Sequence, residues 1–258
     1  MLPREQISAA IRAANEAGRP AIVGFLTAGF PRRDEFAANV LAIGNAADVV
    51  EIGVPFSDPM ADGMTIQRSS HEALKQGVSL KWILETLKAL PARLKAPLLL
   101  MSYLNPLLAY GLGRLPADAR AAGVTGFIVP DMPYEEGADL RAALGREGLA
   151  FVQMVTPVTP PERIAMLARA SEGFVYAVTM TGTTGKSVAV PDDVLAYMAQ
   201  VKAVSPVPVC AGFGIRSREQ VQCMAPHVDG VVVGLALVEV LERGEDPAAF
   251  IAALRQAT

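Results

Sequence analysis

The hydrophobic positions of this 258-residue chain form short, nearly continuous apolar runs separated by longer amphipathic stretches. The runs are rich in Val, Ile, Leu and Phe, and polar residues seldom interrupt them. Strands have this pattern when both faces of a parallel sheet are covered. The pattern predicts eight strands, over residues 21–26, 49–53, 98–103, 126–129, 151–155, 174–178, 207–211 and 230–233.

Helices are predicted between the strands, because apolar residues recur there at helical spacing. The clearest cover residues 33–43, 64–76, 135–147, 161–170, 192–204 and 247–257. An additional N-terminal helix, residues 4–17, is expected to cap the floor of the sheet. No linker, charge block or low-complexity run divides the chain, so we expect one domain over residues 1–258. The predicted fold class is α/β, a single (β/α)8 TIM barrel, with an open doubly wound sheet as the alternative because periodicity alone does not prove closure.

Composition and charge exclude several classes of function. The formal charge of −3 provides no basic field for nucleic acid. The N-terminus lacks the apolar run of a signal peptide, and residues 231–240 are far short of the roughly 20 needed to span a membrane. Cys210 and Cys223 lie in or beside apolar elements, which indicates core residues in a reducing environment. We therefore expect a cytoplasmic protein without a membrane or nucleic-acid partner.

Two acidic residues near the second strand are candidates for acid–base chemistry. Glu51 lies inside an apolar strand, where burial raises the pKa of a carboxyl group towards neutrality. The alternative is a structural role, with Glu51 paired to a basic residue or a backbone donor. Asp62 follows in a loop stiffened by prolines, and its alternative role is to cap the helix that begins near Met64. Asp58, beside Pro59, is interpreted as a turn residue.

Glycine-bearing turns follow the last three strands, at residues 182–185, 212–215 and 234–236. In barrels of this kind, the loops after strands seven and eight commonly bind phosphate through backbone N–H groups and a helix N-terminus. Glycine lets the backbone approach such an anion closely. These turns predict a phosphate site.

Other catalytic groups are poorly placed. Four lysines fall in predicted helices, Lys95 lies in the approach to the third strand and Lys186 lies in a loop, so a Schiff base at a strand end is not expected. His71 is predicted on the second helix and His227 on the entry side of the last strand. They cannot share a site on the catalytic face, which argues against a metal site. Neither histidine nor cysteine offers a nucleophilic arrangement. The remaining chemistry is proton transfer by carboxylates on a phosphorylated substrate.

Long motifs in this chain closely resemble those of the tryptophan synthase alpha subunit family. The most specific block covers residues 51–59, continued by 61–63 and 65–67. Further blocks follow in family order at residues 101–106, 129–133, 159–164, 182–185 and 212–215.

The resemblance implies retro-aldol cleavage of indole-3-glycerol phosphate to indole and glyceraldehyde 3-phosphate. It implies that Glu51 is the general acid–base residue and that Asp62 accepts the hydrogen bond of the indole N–H. The remaining implied contacts are with indole, by Phe25, Tyr103, Tyr176 and Phe213, and with phosphate, by Gly185, Gly214, Gly234 and Leu235. The sixth loop, residues 179–190, is expected to close over the substrate.

The family also implies a partner. Indole is expected to pass to a β subunit, a pyridoxal phosphate enzyme, in an α2β2 complex, while this chain carries no cofactor of its own. Two positions depart from the family pattern. Met64 replaces a common proline, and Leu235 replaces a serine of the phosphate loop. Leu235 keeps open the alternative of a weakly active module that docks on and activates a β subunit. A stand-alone indole-releasing lyase is a third possibility.

Overall fold

The computed structural model describes residues 1–179, 190–212 and 214–255. Within them, eight parallel strands close into a barrel in sequence order, each pairing with the next and the last with the first. The strands are β1 Ala21–Thr27, β2 Val49–Gly53, β3 Leu98–Met101, β4 Val124–Ile128, β5 Ala150–Val155, β6 Val175–Val178, β7 Val209–Gly212 and β8 Gly230–Val233. The predicted closed barrel is confirmed, and the open-sheet alternative is wrong.

The described helices surround the barrel. They are α1 Pro3–Glu16, α2 Phe36–Ala46, α3 Met64–Lys75, α4 Leu80–Lys88, α5 Leu104–Tyr110, α6 Leu115–Ala121, α7 Ala138–Arg146, α8 Pro161–Ala170, α9 Asp192–Val204, α10 Arg218–Met224, α11 Leu235–Glu242 and α12 Pro247–Arg255. A 3-10 turn over Arg33–Glu35 precedes α2. No described helix is long and apolar enough to cross a membrane.

Side-chain alternation along the strands separates an interior cluster from an outer one. In β1, Val23 packs inside the barrel with α1, whereas Ile22 packs outward among residues of the surrounding helices. In β2, Val49 belongs to the interior cluster and Val50 to the outer one. Glu51 therefore extends from the interior face of its strand.

Helix α1 closes the floor of the barrel, as predicted. Its Ile7, Ile11 and Ala14 are buried in the cluster formed by the inward-facing strand residues. Hydrogen bonds join this helix to the loops below the barrel. For example, the Ser8 hydroxyl donates to the Gly173 carbonyl at 2.6 Å, and the Arg4 N–H donates to the Gly148 carbonyl at 2.9 Å. With its floor filled, the barrel is left with its opposite end for binding.

Several predicted boundaries differ from those observed. Strand β3 ends at Met101 rather than at residue 103, because Tyr103 is already the N-cap of α5. Strand β7 begins at Val209, since Pro208 has no N–H to donate to the sheet. Helix α7 begins at Ala138 instead of at residue 135, after a turn that follows Pro133.

The two cysteines are both free, and they differ in burial. Cys210 is fully buried inside the barrel, as expected of a core residue. Cys223, on α10, is half-buried and packs against the outer core.

Candidate active site

Glu51 is a fully buried carboxyl group that has no hydrogen-bond partner in the part of the chain that the structure describes. Its strand register places it between Phe25 of β1 and Leu99 of β3. Its side chain has 0% exposure, and neither Oε atom forms a hydrogen bond with the described residues. Burial, and secondarily the charge of Asp62, raises the pKa of Glu51 to about 8. The structural alternative, a paired Glu51, finds no support in this part of the chain, and a carboxyl group with such a pKa is suited to proton transfer.

Asp62 lies in the loop between β2 and α3, and both its backbone N–H and its backbone carbonyl form hydrogen bonds. Its N–H donates to the Pro59 carbonyl at 3.1 Å, and the Gln67 side chain donates to its carbonyl at 2.8 Å. Burial raises the pKa of Asp62, partly offset by a hydrogen bond from Tyr103. The helix-capping alternative is wrong, since Gly63 is the N-cap of α3 and no side chain caps it. The Asp62 carboxylate is therefore available to the site.

Tyr103 joins the second and third strand ends at this site. Its hydroxyl donates to Oδ2 of Asp62 and accepts from the N–H of Ala61, both at 2.9 Å. Its ring stacks on Phe56, with ring centroids 5.1 Å apart. The carboxylate of Asp62 is therefore held beside the aromatic side chains of the site. The predicted indole-contacting rings that the structure describes, those of Phe25, Tyr103 and Tyr176, are called the aromatic wall below.

Two glycines make room for the predicted indole-contacting aromatic residues. A Cβ atom on Gly53 would lie 2.6 Å from the ring of Phe25, and one on Gly212 would lie 2.6 Å from the ring of Tyr176. Tyr176 is half-buried, and burial, followed by the charges of Glu51 and Asp62, raises its pKa well above the ordinary value. The two rings and the two carboxyl groups thus share one end of the barrel.

A small cavity at the carboxyl ends of the first three strands collects residues that the sequence analysis had identified and others that it had missed. The residues that were not predicted to contact the substrate are Thr27, Gly53, Val54, Ile66, Ser70 and Met101. Its full lining is Phe25, Thr27, Gly53, Val54, Asp62, Ile66, Ser70, Met101 and Tyr103. Thr27 carried a signal, since it is a polar residue closing an apolar strand.

The predicted phosphate loops are described only in part. Gly214 has φ +65°, a left-handed conformation that favours glycine. Gly234 is the N-cap of α11, and Leu235 is the first residue of that helix. The ring of Phe25 lies 3.5 Å from the Cβ position of Gly234, which links this turn to the aromatic wall.

Several sequence predictions fall on residues that the structure does not describe. Gly185 and Phe213 lie outside the described residues. So does Lys186, together with most of the sixth loop.

The structure also places the lysines and histidines that were considered for Schiff-base and metal chemistry, and the residues around Asp58. The lysines at positions 75, 81, 88 and 202 lie in helices, as predicted. A ring nitrogen of His71 contacts the Ser57 carbonyl at 3.0 Å. The Ser57 hydroxyl donates to the Asp58 carboxylate at 2.5 Å, within the predicted turn. Within 1–179, 190–212 and 214–255, no cluster of His, Cys, Asp and Glu could hold a metal ion.

The fold and this site define a TIM-barrel protein with a buried carboxyl group and an aromatic-lined carboxylate at the C-terminal ends of its strands. Sequence comparison specifies the family: a family profile described as Tryptophan synthase alpha chain matches residues 11–257. The chain belongs to the tryptophan synthase alpha chain family.

Individual relatives agree with this assignment along almost the whole chain. The tryptophan synthase alpha chain of Desulfovibrio desulfuricans is 45% identical over 245 residues, covering 94% of this chain and 96% of the relative. That of Geobacter sulfurreducens is 44% identical over 246 residues, covering 93% of each.

Solved structures of the family superpose closely. Tryptophan synthase from M. tuberculosis, in its open form, has a TM-score of 0.85 at 34% identity and covers 96% of this chain and 95% of that chain. Tryptophan synthase subunit alpha from Legionella pneumophila has a TM-score of 0.85 at 30% identity, covering 98% and 96%.

Proposed function

We propose that this chain, one catalytic domain over residues 1–258, is a carbon–carbon lyase. It cleaves indole-3-glycerol phosphate by retro-aldol chemistry to indole and glyceraldehyde 3-phosphate, in L-tryptophan biosynthesis. The observation that carries the proposal is the fully buried Glu51, which has no hydrogen-bond partner among the described residues, beside Asp62 at the catalytic end of the barrel. Family membership supports the substrate.

Glu51 is the general acid and then the general base. With a pKa of about 8 it is mostly protonated at neutral pH, so it can first protonate C3 of the indole ring. The resulting carboxylate accepts the proton of the adjacent glycerol hydroxyl. As that hydroxyl becomes the aldehyde, the carbon–carbon bond breaks and its electrons return to the ring. The carboxyl group ends the cycle protonated, as it began.

Asp62 stabilises the positive charge that the ring acquires in between. A carboxylate at the indole N–H favours the protonated ring, because the opposite charges attract strongly in a site shielded from water. Phe25, Tyr103 and Tyr176, together with Phe213, are proposed to enclose the indole.

The phosphate is proposed to bind at the loops of Gly185, Gly214 and Gly234, at the N-terminal end of α11. The N–H groups of the first turn of a helix are free to bind an anion. Leu235 brings no hydroxyl to this turn, unlike the serine usual in the family, so the backbone N–H groups carry the interaction.

The proposed partner is a tryptophan synthase β subunit, a pyridoxal phosphate enzyme, in an α2β2 complex. Around the catalytic end of the barrel, Met60 is 88% and Met64 80% exposed, and both flank Asp62 in sequence. Exposed apolar side chains beside a site favour contact with another protein. The chain itself is proposed to act in the cytoplasm without a cofactor.

The test is indole release from indole-3-glycerol phosphate by the purified chain, with and without a β subunit. We expect slow release alone and faster release with the partner. Glu51→Gln and Asp62→Asn should each lower the rate by about 100-fold or more, the usual contribution of acid–base and charge stabilisation. Asp58→Asn, in the same loop, and the exposed Glu16→Gln are matched controls that should keep the unpartnered rate.

Three outcomes separate the alternatives. No release in either condition would contradict the proposal and favour a docking module. Rapid release that a β subunit leaves unchanged would favour a stand-alone lyase. A near-normal rate in either carboxylate variant would refute the role given to that residue.

A further inference from the structure

The two hydrogen bonds of the Tyr103 hydroxyl determine the direction in which its proton points. The Ala61 N–H can only donate, so the Tyr103 oxygen accepts that bond, 2.9 Å long. The hydroxyl proton is then free for Oδ2 of Asp62, also 2.9 Å away. This second bond requires Oδ2 to be an acceptor, which an ionised carboxylate provides. Within the described residues, no other group hydrogen-bonds to this carboxylate.

We propose that Tyr103 is a positioning residue for the reaction: its hydroxyl holds Oδ2 of Asp62 and leaves Oδ1 for the N–H donor of the substrate. Asp131, in the loop after β4, supports Tyr103 in this role. The inference rests on the proposed function and assigns Tyr103 a task beyond contact with the indole ring.

Asp131 acts on Tyr103 through the backbone at the start of α5. Tyr103 is the N-cap of that helix, with φ −65° and ψ 160°. Oδ1 of Asp131 accepts from the N–H of Leu104 at 2.9 Å, and the Ser102 hydroxyl contacts the Tyr103 carbonyl at 2.9 Å. The backbone on both sides of the tyrosine is thereby held, and with it the direction of the ring. One polar path therefore runs from the fourth strand end to the Asp62 carboxylate.

The bond from Tyr103 also opposes the effect of burial on Asp62. Burial raises the pKa of Asp62, whereas the donated hydrogen bond favours the ionised form and lowers it. The titratable groups that interact with this carboxylate are Glu51 from β2, Tyr103 after β3 and Tyr176 from β6. None of them is a cation. Among the described residues, the Tyr103 hydroxyl is therefore the main group that stabilises the ionised Asp62 carboxylate. Burial and the charge of Asp62 raise the pKa of Tyr103, and the charge of Asp131 contributes in the same direction.

Tyr103→Phe removes the hydroxyl and keeps the ring that stacks on Phe56. We expect kcat/KM for indole release to fall by about 10- to 100-fold, the range for losing a hydrogen bond to a charged group. The acid limb of the kcat/KM pH profile should move to higher pH, because the pKa of Asp62 rises further. Tyr110→Phe is the matched control: its hydroxyl donates to Asp118 at 2.6 Å, outside the cavity. It should leave the profile in place.

The role of Asp131 is tested by a conservative rescue and a double-mutant cycle. Asp131→Ala removes the acceptor for the Leu104 N–H and should lower kcat/KM and shift the acid limb in the same direction as Tyr103→Phe. Asp131→Asn keeps an acceptor oxygen and should restore most of the loss. Combined with Tyr103→Phe, Asp131→Ala should cost little more, since both changes act on the same hydrogen bond.

A second measurement separates failure of this inference from failure of the proposed function. The pKa of Asp62 is followed by carboxyl-carbon NMR in 13C-aspartate-labelled protein, with the resonance assigned from Asp62→Asn. A higher pKa in Tyr103→Phe and in Asp131→Ala supports the positioning role even if the wild-type chain releases no indole. An unchanged pKa, or a rate and acid limb equal to those of Tyr110→Phe, would overturn it.

Discussion

The buried Glu51 should make the stability of this protein fall as the pH rises. In the unfolded chain its carboxyl group has its ordinary pKa of 4.5, and in the folded barrel its pKa is about 8. Between these values the folded protein binds one more proton than the unfolded chain. A raised pKa therefore contributes most to stability below pH 4.5, and the contribution is lost as pH rises through 8. The full change corresponds to about 5 kcal/mol of unfolding free energy.

Glu51→Gln isolates this contribution, because the amide has nearly the same shape and does not titrate. We expect the variant to match the wild type in stability near pH 5 and to exceed it progressively up to pH 9. The assay is urea unfolding at each pH, followed by circular dichroism and by the fluorescence of Trp82, the single tryptophan of the chain. The difference between the two proteins at each pH removes the contribution of other titrating groups.

Glu16→Gln, on the exposed face of α1, is the matched control and should follow the wild-type curve across the range. The decisive quantity is the slope of the stability difference against pH. If Glu51→Gln differed from the wild type by the same amount at pH 5 and pH 9, the carboxyl group would titrate alike in both states. The assignment of Glu51 as a protonated acid would then be wrong.

Further predictions concern phosphate affinity, the aromatic wall, and the hydrogen bonds and ion pairs of Asp48. Leu235→Ser should lower KM for indole-3-glycerol phosphate by about fivefold, since one added hydroxyl donor contributes about 1 kcal/mol. Gly212→Ala should raise KM, measured by indole release, because the new methyl group would lie 2.6 Å from the ring of Tyr176. Asp48→Ala should lower the free energy of unfolding by about 2–4 kcal/mol in urea. Its carboxylate accepts from the Ile22 N–H at 2.8 Å and from Arg255 at 2.7 Å.

Each of these has a control. Leu235→Ala removes the leucine without adding a donor, and equal KM values for the two variants would exclude the hydroxyl as the cause. Gly145→Ala, in α7, has open space around its Cβ position and should leave KM unchanged. Asp34→Ala breaks an exposed ion pair with Arg32 and should change stability little. A similarly small effect of Asp48→Ala would contradict the structural importance of its network.

The sequence predicted the barrel well because its signal is strong and repeated. Most strand residues are buried, with β6 alternating between buried and half-buried positions, so nearly continuous apolar runs mark all eight strands. Boundaries were less certain where the deciding contact comes from a distant part of the chain. The end of β3 is an example: Leu104 begins a helix whose first N–H is capped by Asp131, 27 residues away. No local pattern around residue 103 contains that partner.

In the candidate site, too, residues with a local sequence signal were predicted, whereas contacts between distant parts of the chain were not. Glu51 was recognisable because a carboxyl group inside an apolar strand is unusual. That no other described residue forms a hydrogen bond with it, in contrast, depends on how the barrel closes. Ser70 reaches the Asp62 cavity from α3, and nothing in its own neighbourhood distinguishes it from a structural residue. The bond between Tyr103 and Asp62 spans 41 residues. Such contacts depend on how strand ends meet, which periodicity does not specify.

Asp62→Asn distinguishes the two causes that raise the pKa of Glu51. Burial is the larger cause, and the charge of Asp62 is the smaller one. Neutralising Asp62 should therefore leave most of the pH dependence of stability in place, giving a curve steeper than that of Glu51→Gln and close to the wild type. A curve as flat as that of Glu51→Gln would instead show that repulsion between the two carboxylates dominates. In the expected case, the acid is produced by enclosure in the barrel, and Asp62 is left to act on the substrate.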